Sequence, residues 1–362
     1  MKKVLTILTA LTLSLLPAAG SLKTSAAGAW DGKTADIGFY AADPAAAEFV
    51  IETPEEYAGL CEIAFIKNAG AASGIKGDGK LYYDTDGMVV TDPANADESR
   101  CVNGTDFMGK TIRLGKNIDL ASKPIKPLGY PKCFYGILDG NGKTIKNVNT
   151  GSFCSATMYN NDRYVYGGLI YVANAVTVVK NLTVENIVLD MKADQAVATG
   201  QKRIFAGGII GYVAGSCITV ENVKVNGLTV NLNSTDNATQ QIYWGVISGI
   251  NGSLGKNSDG SPRPGSVYKN IDISFYAFNN PANYGFITSA DSTDDSDSEE
   301  WFGLEQSKAK TTYENITVKN GTYTQTKPGE NETPATADAL SVICSIGAAS
   351  LAAVFASRKK RG

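Results

Sequence analysis

The 362-residue chain contains no histidine. This absence removes the commonest general base, the Ser-His-Asp arrangement and every zinc site that needs an imidazole. Cysteine is scarce, six residues with no Cys-x-x-Cys pair, and their spacing fits no zinc motif. Five of them, Cys61, Cys101, Cys133, Cys154 and Cys217, lie outside the C-terminal apolar segment. In an oxidising compartment Cys61 with Cys101, or Cys133 with Cys154, are candidate disulfides, and unpaired buried thiols are the alternative. Positive charge is also short. Residues 28–336 carry 26 Lys and Arg against 35 Asp and Glu, a net charge of −9. An acidic domain without a basic patch is a poor binder of nucleic acid and of anionic lipid. Between about residues 110 and 325 there is little helical periodicity, which excludes a helical bundle.

What the sequence does have is a recurring phrase. It reads KNLTVEN at Lys180–Asn186, ENVKVNG at Glu221–Gly227, KNIDISF at Lys269–Phe275 and ENITVKN at Glu314–Asn320, with a weaker KNVNT from Lys146. Upstream of the later copies stand GGLI at Gly167, GGII at Gly207, WGVI at Trp244 and YGFI at Tyr284, whose glycines Gly168, Gly208, Gly245 and Gly285 are 40, 37 and 40 residues apart. A fixed period of this size marks a stacked repeat. Within each copy apolar residues alternate with polar ones, as in Leu182 and Val184 or Ile271 and Ile273, the period of a half-buried strand. One such strand cannot bury itself, but stacked coils bury a continuous apolar column. The expected fold is therefore all-β, a parallel β-helix with two or three strands per coil. The recurring Asn181, Asn222, Asn270 and Asn315 are expected above one another at a corner. Their role there is structural, because repetition in every coil is what packing needs and a catalytic site needs a unique constellation.

The two ends differ from this middle. Residues 1–27 have a charged start (Lys2, Lys3), an apolar core (Val4–Leu16) and small residues Ser25-Ala26-Ala27. These are the parts of a secretory signal, cut after Ala27 or after Ala29. Residues 28–47 form a lead-in. Residues 326–338 read as a linker. Residues 339–362 combine an uncharged apolar run, Ala339–Ala356, with the basic stretch Arg358–Arg361, as expected of a transmembrane helix with a cytoplasmic tail. The order of Pro334, Thr336 and Ala337, an apolar span and a basic tail resembles the cell-wall sorting signal of Gram-positive surface proteins. That resemblance implies cleavage by a sortase between Thr336 and Ala337, although Thr333 and Ala337 replace the Leu and Gly of the commonest form. A permanent membrane anchor is the alternative. Either way the folded part, residues 48–325, is expected outside the cell.

Thr53-Pro54-Glu55-Glu56 opens a helix with a capping box and Pro at its first position. Tyr57, Leu60, Cys61 and Ala64 form one apolar face, and a capping helix near 54–67 would cover the open end of the coils. Insertions are expected near 69–104, 251–266 and 291–310. From Asp106 the chain reads DFMGKTIRLGKNIDLASKPIKPLG and then FYGILDGNGKTIKNV. With the later Gly-Gly-apolar and Asn-apolar-x-apolar phrases, this resembles bacterial surface proteins with the GLUG-type repeat, over roughly residues 48–325. The resemblance implies a right-handed parallel β-helix, an extracellular place and an adhesin-like chain whose repeat carries no catalytic residue.

Polysaccharide lyases and glycoside hydrolases also use this shape, with clustered carboxylates. Asp119, Asp139, Asp190 and Asp272 fall in different phrases, and Asp139 lies in Asp-Gly-Asn-Gly, a tight-turn signal. Asp291–Glu300 and Asp84-Thr85-Asp86-Gly87 are acidic enough for a calcium loop but lack its ligand spacing. Tyr166, Tyr212, Tyr243, Trp244, Tyr284 and Trp301 lie near repeat phrases. Many of these rings are expected to pack in the core or at corners, and an exposed row that could stack on sugars is the alternative. The expectation is thus a surface-anchored binding or structural protein with no catalytic, cofactor or metal residue assigned. Its expected partners are host or wall glycans or proteins, with a polysaccharide-cleaving enzyme as the rival.

Overall fold

The computed structural model describes residues 28–64, 80–90, 97, 99–130, 133–151, 156–159, 162–174, 176–192, 202–214, 218–233, 240–249, 251–252, 261, 264–279, 283–284, 312–319 and 322–324. A cap comes first. Helix α1 (Gly38–Ala41) precedes strand β1 (Glu48–Ile51) and helix α2 (Pro54–Ile63). Thr53 accepts from the Glu56 N–H at 3.1 Å, and the Glu56 carboxylate takes the Thr53 N–H at 3.1 Å. This is the capping box read from the sequence. Helix α2 stops at Ile63, short of the expected 67, because Ala64 leaves helical geometry. Tyr57, Leu60, Cys61 and Ala64 are all buried. Beside them Tyr40, Phe49, Phe107 and Phe134 form a chain of rings 5.2 to 6.1 Å apart that closes this end of the core.

The insertion at 69–104 contributes a ribbon, in which β2 (Lys80–Tyr82) pairs antiparallel with β3 (Cys101–Asn103). Then the coils begin. Strands β4 (Thr111–Leu114), β5 (Ile118–Asp119), β6 (Ile137–Asp139) and β7 (Thr144–Asn149) are followed by β8 (Ala156–Tyr159), β9 (Asp162–Gly167), β10 (Ile170–Asn174) and β11 (Val178–Lys192). The next round is β12 (Lys202–Gly207), β13 (Ile210–Ala214) and β14 (Thr219–Asn233), and the next β15 (Gln240–Gly245), β16 (Asn251–Gly252) and β17 (Val267–Asn279). Strands β18 (Asn283–Tyr284), β19 (Thr312–Lys319) and β20 (Thr322–Thr324) complete the order.

The pairing is parallel from coil to coil. One sheet runs β1-β4-β6-β11-β14-β17-β19, a second β10-β13-β16, and a third β18-β15-β12-β9 with β8 antiparallel at its edge. Each round visits the third, second and first sheet in turn, the arrangement of an all-β parallel solenoid. Register follows the repeat phrase, with Leu182, Val223, Ile271 and Ile316 aligned, and Val184, Val225 and Ile273 two residues on. These inward columns are buried to 1% exposure or less except Ile316 at 7%. Each Val, Leu or Ile buried this way contributes roughly 1.5–3 kcal/mol.

The Gly-Gly phrases form the corner between the third and second sheets. A Cβ on Gly168 would stand 2.7 Å from the Gly207 carbonyl oxygen and the Gly211 nitrogen, and one on Gly208 would collide with the Val246 carbonyl. Backbone bonds cross from coil to coil here, Ile170 N–H to Ile209 O at 2.7 Å and Gly208 N–H to Val246 O at 2.9 Å. Side chains would hold the coils apart. Cys61 is a buried free thiol, so the candidate Cys61–Cys101 disulfide does not form; Cys154, the other half of the second candidate pair, lies outside the described residues. The insertion at 251–266 holds the short β16, whereas the insertion at 291–310, the sorting residues Pro334, Thr336 and Ala337, and the expected span at 339–362 lie outside the described residues. Among the described residues, no helix is long and apolar enough to cross a membrane.

Candidate functional site

The four repeat asparagines stack as expected. Asn181, Asn222, Asn270 and Asn315 all adopt left-handed backbone angles, with φ between 52° and 55°. Asn tolerates that region better than other residues with a side chain. Each side-chain amide donates to the oxygen of the one before it: Asn315 to Asn270 at 2.9 Å, Asn270 to Asn222 at 2.8 Å, and Asn222 to Asn181 at 3.0 Å. Asn181 donates to Asp139 Oδ1 at 3.1 Å, so the ladder ends on a carboxylate. The same Oδ1 accepts the Asn141 N–H at 2.9 Å. Asn141 and Gly142 both have positive φ, which fits the tight turn read from Asp-Gly-Asn-Gly. The strands it joins are not a hairpin, since β6 and β7 both pair with β11.

A second ladder was not legible in the repeat phrase. Asn186 donates to Asn147 at 3.2 Å, and Asn147 to Asp119 Oδ1 at 2.8 Å. Asn147 and Asn186 are also left-handed. In the next two coils the aligned positions are Gly227 and Phe275, again with positive φ. The bend persists there while the amides do not. Farther along the same sheet Asn231 donates to Asp190 at 2.6 Å. The signal that marks the second ladder is an Asn or Gly five residues after Asn181 and Asn222, and each foot is an acid one coil before the first Asn of its column.

Immediately before the first ladder on each strand lies a row of alternating charge. Arg113, Asp139, Lys180, Glu221, Lys269 and Glu314 are aligned in register. Asp139 lies 4.0 Å from Arg113 and 3.8 Å from Lys180, and Lys269 lies 2.7 Å from Glu314. The exposed pair of Lys269 and Glu314 contributes little stability, whereas Asp139 is buried between its two cations. The alternation leaves no single-sign track for a polyanion or polycation.

Asp119, Asp139 and Asp190 thus stand at the feet of three different amide columns, and Asp272 is exposed on β17 in register with Lys224. The Asp84 carboxylate closes its own loop by accepting the Asp86 and Met88 N–H groups. Among the described residues no group of three His, Cys, Asp or Glu side chains is placed to hold a metal ion. Tyr166 and Tyr212 are buried, not exposed, and pack with Tyr171 and Phe205 into a second apolar cluster. The Tyr166 ring is 5.4 Å from both Phe205 and Tyr212. These two rings therefore pack and offer no open platform. The side chains of Tyr243, Trp244, Tyr284 and Trp301, and the run Asp291–Glu300, lie outside the described residues.

One polar cleft opens beside the cap. Its volume is about 190 Å³, and Gly28, Ala29, Glu52, Thr53, Pro54, Lys116, Asn117, Asp119 and Lys146 line it. Lys146 pairs with Asp119 at 3.2 Å. Burial pushes the Asp119 carboxyl up, but bonds from Asn147, the Ala121 N–H and Lys146 outweigh it and hold the group below its usual range. Asn117 accepts the Thr144 N–H at 3.0 Å. Nearby, burial raises the Glu56 carboxyl, and the charges of Asp36 and Glu52 add to that rise. The cleft is small and brings two carboxylate residues, Glu52 and Asp119, together with two lysines, Lys116 and Lys146. No family model, curated protein or solved structure matches the chain.

Proposed function

We propose that this chain is an extracellular surface protein of a Gram-positive bacterium, folded as a right-handed parallel β-helix, that works by binding or as a structural element and not by catalysis. The reading combines the secretory start, the sorting-like residues Pro334, Thr336 and Ala337, and the apolar span with its basic tail. In this reading a sortase joins the protein to the wall through Thr336, and the stack projects outward to meet host or wall glycans or proteins. The observation that carries the non-catalytic part is the use made of the polar side chains. Asp119, Asp139 and Asp190 each accept an Asn amide from the next coil, a repeated bond that holds coils together. A glycan-cleaving site instead needs two carboxylates free to face one bond.

The test is incubation of the exported protein with a panel of bacterial and host polysaccharides, with calcium added, followed by measurement of chain length. Unchanged chains together with retention on one of the immobilised glycans or proteins are the expected result. Shortened chains would overturn the reading in favour of a lyase or hydrolase.

A further inference from the structure

The cleft beside the cap has two walls of known chemistry and one that depends on processing. Glu52 and Asp119 bring carboxylates, Lys116 and Lys146 bring ammonium groups, and Gly28 and Ala29 complete the lining. Lys146 is engaged by Asp119 at 3.2 Å. Among the described residues Glu52 has no such partner in the cleft, and its charge helps raise the partly buried Glu56 carboxyl. The chain just after the cleft is fixed. The Trp30 N–H donates to the Asp119 carbonyl at 2.9 Å, its indole N–H donates to Thr34 O at 2.7 Å, and its ring is 6% exposed. Asp31 then accepts the Lys33 and Thr34 N–H groups. Trp30, tied to the Asp119 backbone, therefore anchors residues 28 and 29 at the cleft that Glu52 also lines.

We infer that this cleft is the seat of the amino terminus made when the leader is removed, with the cut between Ala27 and Gly28 and the new α-ammonium held by the Glu52 carboxylate. This rests on the reading that the chain is exported behind a cleaved leader. Hydrolysis of the Ala27–Gly28 peptide bond by water leaves a carboxylate on Ala27 and an amine on Gly28, which takes up a proton near neutral pH. The small residues before the bond allow cleavage after Ala27 or after Ala29. The structure separates the two. Gly28 is exposed, so an ammonium there keeps water on one side and gains a carboxylate on the other. Trp30 is buried with its nitrogen already committed to one carbonyl, and a charge there would lose water without enough acceptors. Cleavage after Ala29 would also remove the two residues that complete the cleft.

Expression of the full chain in a Gram-positive host, followed by N-terminal sequencing of the surface protein, tests this. A start at Gly28 is expected. A start at Trp30 would overturn the seat and leave export intact, whereas retention of Met1 would overturn export itself. A second measurement asks whether the ammonium is held. Glu52→Gln is expected to lower the melting temperature of protein beginning at Gly28 by about 2 °C. In protein beginning at Ala26, whose ammonium is displaced by roughly 7 Å, the same substitution is expected to have less than half that effect. Equal shifts in the two forms would overturn the pairing.

Discussion

Asn181 donates its side-chain amide to Asp139 at 3.1 Å, and this bond sets the direction of the whole ladder above it. A carboxylate can only accept. Asn181 must therefore turn its NH2 toward Asp139 and its oxygen toward Asn222, and each later Asn repeats the choice. Asp139→Asn keeps an oxygen for Asn181 and for the Asn141 N–H. Asp139→Ala removes the acceptor from both. The alanine variant is expected to lose about 2–3 kcal/mol of stability and the asparagine variant about 1 kcal/mol or less, read as a difference in urea midpoint at constant slope. Equal losses would show that the carboxylate does not terminate the ladder.

The second ladder predicts an acid sensitivity. The Asp119 carboxyl is held below its usual range by Asn147, the Ala121 N–H and Lys146 despite burial. A folded-state value below the unfolded one means that the group stabilises the fold above the unfolded value of about 4. That contribution disappears as pH falls through the lower, folded value. Asp119→Asn is expected to lower the melting temperature at pH 7 and to flatten its drop below pH 4, so that the curves of the two proteins converge in acid. Parallel curves for the two proteins would refute the assignment.

Asn222 separates the two duties of a ladder residue. It needs a positive φ, 55° here, and it bonds to Asn181 on one side and Asn270 on the other. Asn222→Gly keeps the backbone angle at no steric cost and loses the amide. Asn222→Ala loses the amide but, unlike glycine, keeps a Cβ in the left-handed region, at about 1 kcal/mol more than the glycine variant. The expected order of stability is wild type, then glycine, then alanine. Chemical unfolding of the three would measure it, and an alanine variant as stable as the glycine one would remove the backbone argument.

The stack itself was legible because burial repeats. Leu182 and Val184 must face inward in every coil, so their spacing is written at each turn, and Asn181 marks the same bend each time. The Gly-Gly phrases are equally plain, because a Cβ at Gly168 or Gly208 would meet backbone from the next coil. The feet of the ladders were not legible. Asp139 and Asp119 occur once each, and their meaning depends on which coil lies above. Nor was the end of α2 at Ile63, since nothing in Ala64-Phe65-Ile66 signals a stop. The burial of Tyr166 and Tyr212 agrees with the core-packing expectation, but their partners Tyr171 and Phe205 were not legible, because they belong to neighbouring strands whose register the sequence does not state.

Among the described residues, the bend column that holds Asn147, Asn186 and Gly227 ends on a residue that does not suit it. Phe275 has φ of 54° and is 59% exposed. A bulky residue is a true outlier in that region, at a cost of about 1 kcal/mol, and an exposed ring recovers little of it by burial. Asn tolerates the same angle and adds less unfolded-state freedom than Gly. Phe275→Asn is therefore expected to raise stability by about 0.5–1 kcal/mol, seen as a higher urea midpoint. A binding surface protein gives a reason to keep the costly residue, because strain of this kind persists where contact needs it. On that reading the more stable variant holds its glycan or protein ligand less well on the immobilised panel. Higher stability with unchanged retention would place the contact surface elsewhere on the stack. Lower stability would mean that the ring packs against the fold and that the backbone cost is already met there.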